Sequence, residues 1–263
     1  MADALIGATG FVGGTLLRQR RFEGLYNSSN VHQMEGRKFG AIFCAGAPAK
    51  KWLANKEPEK DLANMKSLMG RLGKVECEKF VLVSTVDVFK DSLEVDENTA
   101  PQEEGLHPYG LHRLMLERRV QELFEDHLIV RLPGLVGPGL VKNVIYDFLN
   151  NNNLHMIDRR GVFQFYPTVN LWWDIKTAMD AGLKLLHLAA EPVSVAQVAR
   201  DGFNMDFDNE LENPPARYDM RSVHAGLYGA SGSYQYDRRH TMLAVRAYAQ
   251  SEQAAGREGQ GGR

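Results

Sequence analysis

Gly7-Ala8-Thr9-Gly10-Phe11-Val12-Gly13 sets three glycines three residues apart, directly after the apolar stretch Ala2 to Ile6 and just before Thr15 to Phe22, which reads as a helix. Each glycine has its own physical reason. One lets the chain turn tightly, one lets the backbone approach a diphosphate, and one allows helix and strand to pack closely. An anion at such a turn meets the free N–H groups and the positive end of the helix dipole. A bare glycine pattern is weak. Its place at the first strand-to-helix turn points to a dinucleotide site, with Gly7, Thr9, Gly10, Phe11, Val12 and Gly13 as the expected cofactor-binding residues, the alternative being a glycine-rich turn with no ligand.

Working outward, Leu25 to Tyr26 marks a second strand, and Phe39 to Cys44 is a continuous apolar run of the kind a strand buried on both faces requires. Asp61 to Leu72 has helical spacing in Leu62, Met65, Leu68, Met69 and Leu72. Phe80 to Val83 reads as strand, Tyr109 to Phe124 as amphipathic helix, and Leu128 to Leu132 as strand stopped by Pro133. This alternation predicts an α/β fold: a Rossmann-type doubly wound parallel sheet with a small C-terminal substrate lobe. The expected division is a dinucleotide-binding core over 1–140, the remaining core elements and substrate lobe over 141–250, and a disordered tail over 251–263, rich in Gly, Gln and charge. Beyond Pro133, Asp174 to Leu186 is expected as a helix, Leu186 to Leu188 as a late strand, Val195 to Ala199 as a short helix and Thr241 to Gln250 as the last helix.

In 263 residues, 44% hydrophobic and 24% charged, the composition is that of an ordinary globular chain. A net charge of −2 provides no broad basic field for nucleic acid or an anionic membrane. No apolar run approaches bilayer length. Cys44 and Cys77 make no disulfide framework and stand in no zinc-type cluster. The expectation is a cytoplasmic protein acting on a small molecule, with no metal.

Dinucleotide sites that prefer NAD place an Asp or Glu about twenty residues past the glycines, on the ribose hydroxyls. Here that stretch is Tyr26-Asn27-Ser28-Ser29-Asn30, without a carboxylate. Asn27 and Ser28 leave room for a 2′-phosphate, and Arg37 or Lys38 would add charge. NADP is therefore expected over NAD.

Several segments, in order, resemble the extended branch of the short-chain dehydrogenase/reductase superfamily, the NAD-dependent epimerase/dehydratase family. They are the glycine turn; Cys44-Ala45-Gly46-Ala47; Asp61-Leu62-Ala63-Asn64; Val83-Ser84-Thr85-Val86-Asp87-Val88-Phe89; Pro108-Tyr109-Gly110; and Arg131-Leu132-Pro133 running to Gly137-Pro138-Gly139. The resemblance covers residues 1 to about 140. It implies hydride transfer with NAD(P) on a hydroxyl or keto carbon of a sugar or nucleotide-sugar-like substrate, as an oxidoreductase or an epimerase. It also implies cofactor contacts from Cys44, Ala45, Gly46, Tyr109, Arg113 and Pro133, and a homodimer.

The chemistry of the residues agrees. Such a reaction needs a proton carrier beside the hydride acceptor. Tyr109 opens a helix with Arg113 four residues on, on the same face. A cation there favours the phenolate. Thr85, just past a strand, is placed to hold a substrate oxygen. By resemblance Thr85 and Tyr109 fall at the family's Ser/Thr and Tyr positions. Arg113 departs from the family, which has Lys there, and the exchange is not conservative at a close site. The family's dehydratases carry an acid pair right after the Thr. Here Val86 breaks that pair, which argues against dehydration and leaves Asp87 as either a substrate-facing acid or a solvated loop carboxylate.

Asn64 matches an Asn that in the family holds a distorted helix, the alternative being an ordinary polar helix residue. His107 and His112 flank Tyr109 as further proton carriers or structural groups. Trp52, Trp172 and Trp173 are candidates to line a substrate pocket, and Arg159, Arg160, Arg217 and Arg221 to grip substrate phosphates. The alternative function is a non-catalytic dinucleotide sensor or interaction protein of the same fold, for which Arg113 argues and the retained Tyr109 argues against.

Overall fold

The computed structural model describes residues 1–252. The strands are β1 (Ala4–Ile6), β2 (Gly24–Tyr26), β3 (Lys38–Cys44), β4 (Glu76–Thr85), β5 (Leu93–Val95), β6 (His127–Leu132), β7 (Gly134–Val136), β8 (Val162–Phe163), β9 (Phe165–Pro167), β10 (Leu185–His187), β11 (Val193–Ser194) and β12 (Asp219–Met220). The helices are α1 (Phe11–Gln19), α2 (Lys51–Lys56), α3 (Pro58–Leu72), α4 (Pro108–Leu123), α5 (Val144–Asn150), α6 (Leu171–Asp180), α7 (Val195–Gln197) and α8 (Arg238–Ser251). Six strands form the central sheet in the order β10-β6-β4-β3-β1-β2, and every pairing is parallel.

Period-two alternation sorts the strand residues onto two helical layers. Ala4, Ile6, Ile42, Phe80, Leu82 and Ile129 face Met65, Leu68 and Leu72 of α3 and Leu116 and Val120 of α4. Leu5, Phe43, Val81, Leu128 and Val130 face Leu16 of α1 and Leu171, Ile175 and Ala178 of α6. Both faces of the sheet are thus covered, as a doubly wound fold requires. A third apolar cluster, with Leu140, Ile145, Phe148, Phe165, Val193, Val245 and Tyr248, forms from the later half of the chain. Residues 171–188 return to the sheet as α6 and β10.

The sheet's strand order reverses at β1, with β2 on one side and β3 on the other. A crevice opens at the strand ends there, and the glycine turn lies in it. Gly7 has φ +88, and a Cβ on it would lie 2.4 Å from the Ala45 carbonyl oxygen; one on Gly13 would lie 2.0 Å from the Gly7 carbonyl oxygen. Only glycine allows β1, β3 and α1 to approach this closely.

Some expected boundaries moved. The first helix runs Phe11–Gln19, earlier than Thr15 to Phe22, because Gly10 already starts the turn. The helix expected over Asp174 to Leu186 ends at Asp180. Gly182 then turns with φ +69, and Leu185–His187 pairs with Ile129–Arg131 of β6. Short α2 had no helical signal in the sequence. The expected disordered tail, 251–263, lies outside the described residues except for Ser251, which ends α8, and Glu252.

Candidate active site

A cleft of about 1010 Å³ runs across the carboxyl ends of the sheet strands to Leu140 of the third apolar cluster, at the upper end of the 300–1,000 Å³ or so usual for small-molecule sites. Gly7, Thr9, Gly10, Phe11 and Val12 line it, with Asn27 and Ser28 after β2, Ala45 and Gly46 after β3, Thr85, Tyr109, Arg113 and Pro133. Two expected cofactor residues stand apart. Gly13 lies beneath the turn, where its lack of a side chain lets Gly7 pass. Cys44 is fully buried under the cleft floor, and burial pushes its thiol up to about 11. Both act through packing.

The residues fit a dinucleotide. Gly10 caps α1 without any side-chain hydrogen bond, and the first turn holds no acidic residue. Its N–H groups are therefore open to an anion. At the opposite end, Val31, Ser67, Leu68 and Arg71 line the cleft beside Asn27 and Ser28. Arg71 is the cation at this end, 2.9 Å from Glu35. The expected cations are elsewhere. Arg37 holds the Tyr26 hydroxyl at 2.6 Å and stacks on Phe39, and Lys38 pairs with Glu76 on the surface. Arg37 precedes and Lys38 opens β3, at the opposite end of that strand from the cleft.

Beside Thr85, Pro108 opens α4 and His107 caps it, its Nδ1 accepting from the Gly110 N–H at 3.0 Å. The Tyr109 N–H donates to Asn55 Oδ1 of α2 at 3.0 Å, which fixes the start of α4 against that helix. The phenol is buried. Desolvation raises its pKa, Arg113 and Lys51 pull it down, Asp87 pushes it up, and the hydrogen-bonding Thr85 hydroxyl favours ionisation; the net direction is up.

Arg113 is 2% exposed. Its guanidinium stacks 3.9 Å from the Tyr109 ring centroid. Its two terminal nitrogens donate to both oxygens of Asp61, to the Pro48 carbonyl and to the Tyr109 carbonyl. Nε has no partner among the described residues. His112 Nδ1 meets the same Asp61 at 2.7 Å, so it belongs to this buried cluster and not to the cleft. Burial opposes ionisation of Asp61, but hydrogen bonds from Arg113 and His112 outweigh it and hold the carboxyl below its ordinary value.

Asp87 is no solvated loop carboxylate. Its Oδ1 accepts from Lys51 Nζ at 2.6 Å and from the Tyr218 hydroxyl at 3.4 Å, and its Oδ2 accepts from the Thr85 hydroxyl at 3.4 Å. Lys51, Lys142, Asn143, Gln164 and Tyr218 also line this part of the cleft and were missed in the sequence. For Lys51 a signal existed: a cation a few residues past the carboxyl end of a buried strand, where crevices form. Tyr218 arrives from about 130 residues away and carries no local signal.

Other expectations shift. Asn64 lines the cleft, but from α3, an unbroken α-helix. Trp52 and Trp173 are exposed and Trp172 packs on Phe43 and Arg20, so none lines the cleft. Arg159, Arg160, Arg217 and Arg221 are also absent from its walls; Arg160 pairs with Asp158, and Arg221 with Asp219 and Glu94. No helix among the described residues is long and apolar enough to cross a membrane.

The fold matches solved structures at low identity. UDP-glucose 4-epimerase from Thermotoga maritima, solved with UDP-glucose, superposes with a TM-score of 0.71 at 13% identity, covering 95% of this chain and 98% of that one. A dTDP-4-dehydrorhamnose reductase from Clostridium acetobutylicum gives 0.71 at 17% identity, over 95% and 99%. RMD from Pseudomonas aeruginosa, complexed with NADPH, gives 0.71 at 15% identity, over 95% and 99%. No curated protein sequence matches the chain. The profile of the NAD dependent epimerase/dehydratase family matches residues 24–180, beginning after the glycine turn. With more than half its length matched, and with the glycine turn preceding that match in the expected place, this chain belongs to the NAD dependent epimerase/dehydratase family of extended short-chain dehydrogenase/reductase enzymes.

Proposed function

We propose that the protein transfers hydride, as an oxidoreductase or epimerase, at a hydroxyl or keto carbon of a sugar or nucleotide-sugar-like substrate, and prefers NADP to NAD. The observation that carries this reading is the convergence of Thr85 and Tyr109 on the cleft that the glycine turn opens. When bound, the nicotinamide supplies or accepts the hydride. Gly7 to Val12 hold the diphosphate at the front of α1, and Pro133 lines the same groove. Thr85 orients the substrate oxygen, and Tyr109 gives or takes its proton. Arg113 holds the Tyr109 ring in place, its terminal nitrogens committed to Asp61 and backbone carbonyls and its Nε buried. The NADP preference rests on the absence of a carboxylate after β2 and on Arg71 in the cleft wall. A homodimer and a cytoplasmic location belong to the same proposal.

Two measurements test it. Mass analysis of nucleotide released from the purified protein, with thermal shifts on added NADP and NAD, should show stabilisation by a dinucleotide, larger with NADP, and the difference should shrink in Arg71→Ala. Tyr109→Phe should keep that stabilisation and lower turnover by roughly 10²–10⁴-fold, the usual contribution of a general acid–base. The commitment of Arg113 to Asp61 favours the second reading, a non-catalytic sensor. Under that reading Tyr109→Phe leaves biological activity unchanged.

A further inference from the structure

Every reduction of a ketone consumes one proton, and the residue that gives it must be recharged. At the family's Lys position this chain has Arg113, which does not release a proton at any working pH. Its four terminal N–H groups are also committed to Asp61, Pro48 and Tyr109. Recharging therefore needs another route. The titratable and charged groups around Tyr109 are Thr85, Asp87, His107, Lys51, Lys142, Tyr218 and, behind the ring, Arg113 with Asp61.

His107 uses Nδ1 to cap α4 and faces Asp87 at 3.9 Å, beyond hydrogen-bond distance. Lys142 donates to the Ala49 carbonyl. Thr85, Asp87 and Lys51 are continuous. Thr85 and Tyr109 line the same cleft, and the Thr85 hydroxyl is near enough to favour the phenolate. That hydroxyl meets Asp87 Oδ2 at 3.4 Å, and Lys51 Nζ sits 2.6 Å from Asp87 Oδ1. The Lys51 side chain is 38% exposed, so the far end of this row touches solvent, while Asp87 is 16% exposed. Lys51 is held in line from two sides. Tyr218 accepts from Nζ at 3.2 Å, and the same short helix, α2, is tied to the Tyr109 backbone through Asn55.

We propose that Lys51 and Asp87 form the proton relay that recharges Tyr109, taking the place that Arg113 cannot fill. The relay rests on the catalytic reading above and deepens it. In the reducing direction the Tyr109 O–H bond breaks and its proton goes to the substrate oxygen, while the reduced nicotinamide supplies the electron pair as hydride. The Lys51 ammonium passes a proton to Asp87 Oδ1, the neutral carboxyl turns to present it to Thr85, Thr85 accepts it as its own proton goes to the phenolate, and the Lys51 amine takes one from water. The net uptake is one solvent proton per ketone reduced. Oxidation runs the same steps backwards. An epimerase, which returns its proton within each turnover, has no need of this row, so the relay favours net oxidation or reduction.

The test needs no substrate. With ¹³Cζ-labelled tyrosine in an equal mixture of H₂O and D₂O, the isotope splitting of the Tyr109 signal, assigned through Tyr109→Phe, reports how fast its hydroxyl exchanges with solvent. Exchange is expected to slow at least tenfold in Lys51→Met and in Asp87→Asn. It should slow as much in Lys51→Arg, which keeps the charge but cannot pass a proton on. Wild-type exchange in Lys51→Met, or in Lys51→Arg, overturns the relay, as does an averaged signal in wild type and variants alike. Failure of the catalytic reading shows separately, as full turnover in Tyr109→Phe or no thermal shift with either dinucleotide.

Discussion

At the scale of single residues, the cluster behind Tyr109 decides how the site is built. Asp61, His112 and Arg113 are each about 6% exposed or less, and Arg113 is bound by both oxygens of Asp61. A buried pair of this kind adds little over an apolar pair of the same shape. Removing one member leaves the other charged and unmatched, at about 3–5 kcal/mol. Asp61→Ala is therefore expected to lower unfolding stability by about that much in urea titrations. A loss under 1 kcal/mol would show that Arg113 finds other partners or water. The pH sign follows from the direction of the shift. The Asp61 carboxyl is held below its ordinary value of 3.8 in the folded chain. Its stabilisation is therefore full above that value and is lost as pH falls through the lower, folded pKa.

At the scale of elements, the junction of β1 and α1 is the most demanding. A methyl group on Gly13 would meet backbone at 2.0 Å, whereas one on the adjacent Gly14 would find nothing nearer than 3.9 Å. Gly13→Ala is expected to displace α1, to cost about 1–3 kcal/mol as overpacking does, and to abolish the dinucleotide thermal shift. Gly14→Ala should retain the shift and gain up to about 1 kcal/mol from helix propensity. Equal behaviour of the two variants would remove the packing argument for the turn. The elements with the strongest periodic signal, β3, α3 and α4, were legible in the sequence to within a few residues. α2 and the end of α6 were not. Six residues carry too little periodicity to call a helix. α6 stops because Leu185 to His187 are drawn into pairing with β6, a contact more than fifty residues away in sequence.

At the scale of the whole molecule, a buried polar row ties the sheet to α4 and to the late part of the chain. Glu117 of α4 pairs with Arg131 of β6 at 2.7 Å and accepts from Ser84 of β4. Arg131 in turn reaches His187 Nε2 of β10 at 3.3 Å. With Nδ1–H donating to the Arg221 carbonyl at 3.0 Å, His187 fits its place as the neutral ring. Burial, the largest influence, pushes its pKa down to about 4, against the opposing pull of Glu97. The unfolded chain takes up this proton near the ordinary value of 6.5 and the folded chain does not. Its contribution to stability is therefore complete above about pH 6.5 and is lost as pH falls towards 4. A ¹⁵N titration of the ring should show His187 neutral at pH 5.5. A midpoint near 6.5 would mean that this junction opens or hydrates.

The sequence by itself determined the layers of the sheet and the glycine turn between β1 and α1. Strand and helix periodicity are local properties, and the glycine turn is read from its place between the first strand and the first helix. Resemblance to the family marked Thr85 and Tyr109, and their places at the end of β4 and the start of α4 agree with it. The tertiary structure alone decided that Arg113 is bound to Asp61, that Arg71 and not Arg37 lines the cleft beside Asn27 and Ser28, and that Lys51, Asp87 and Tyr218 meet. Those outcomes depend on which long side chains come within reach once helices and loops far apart in sequence are stacked on one sheet. A charge has no period in the sequence from which its partner can be read.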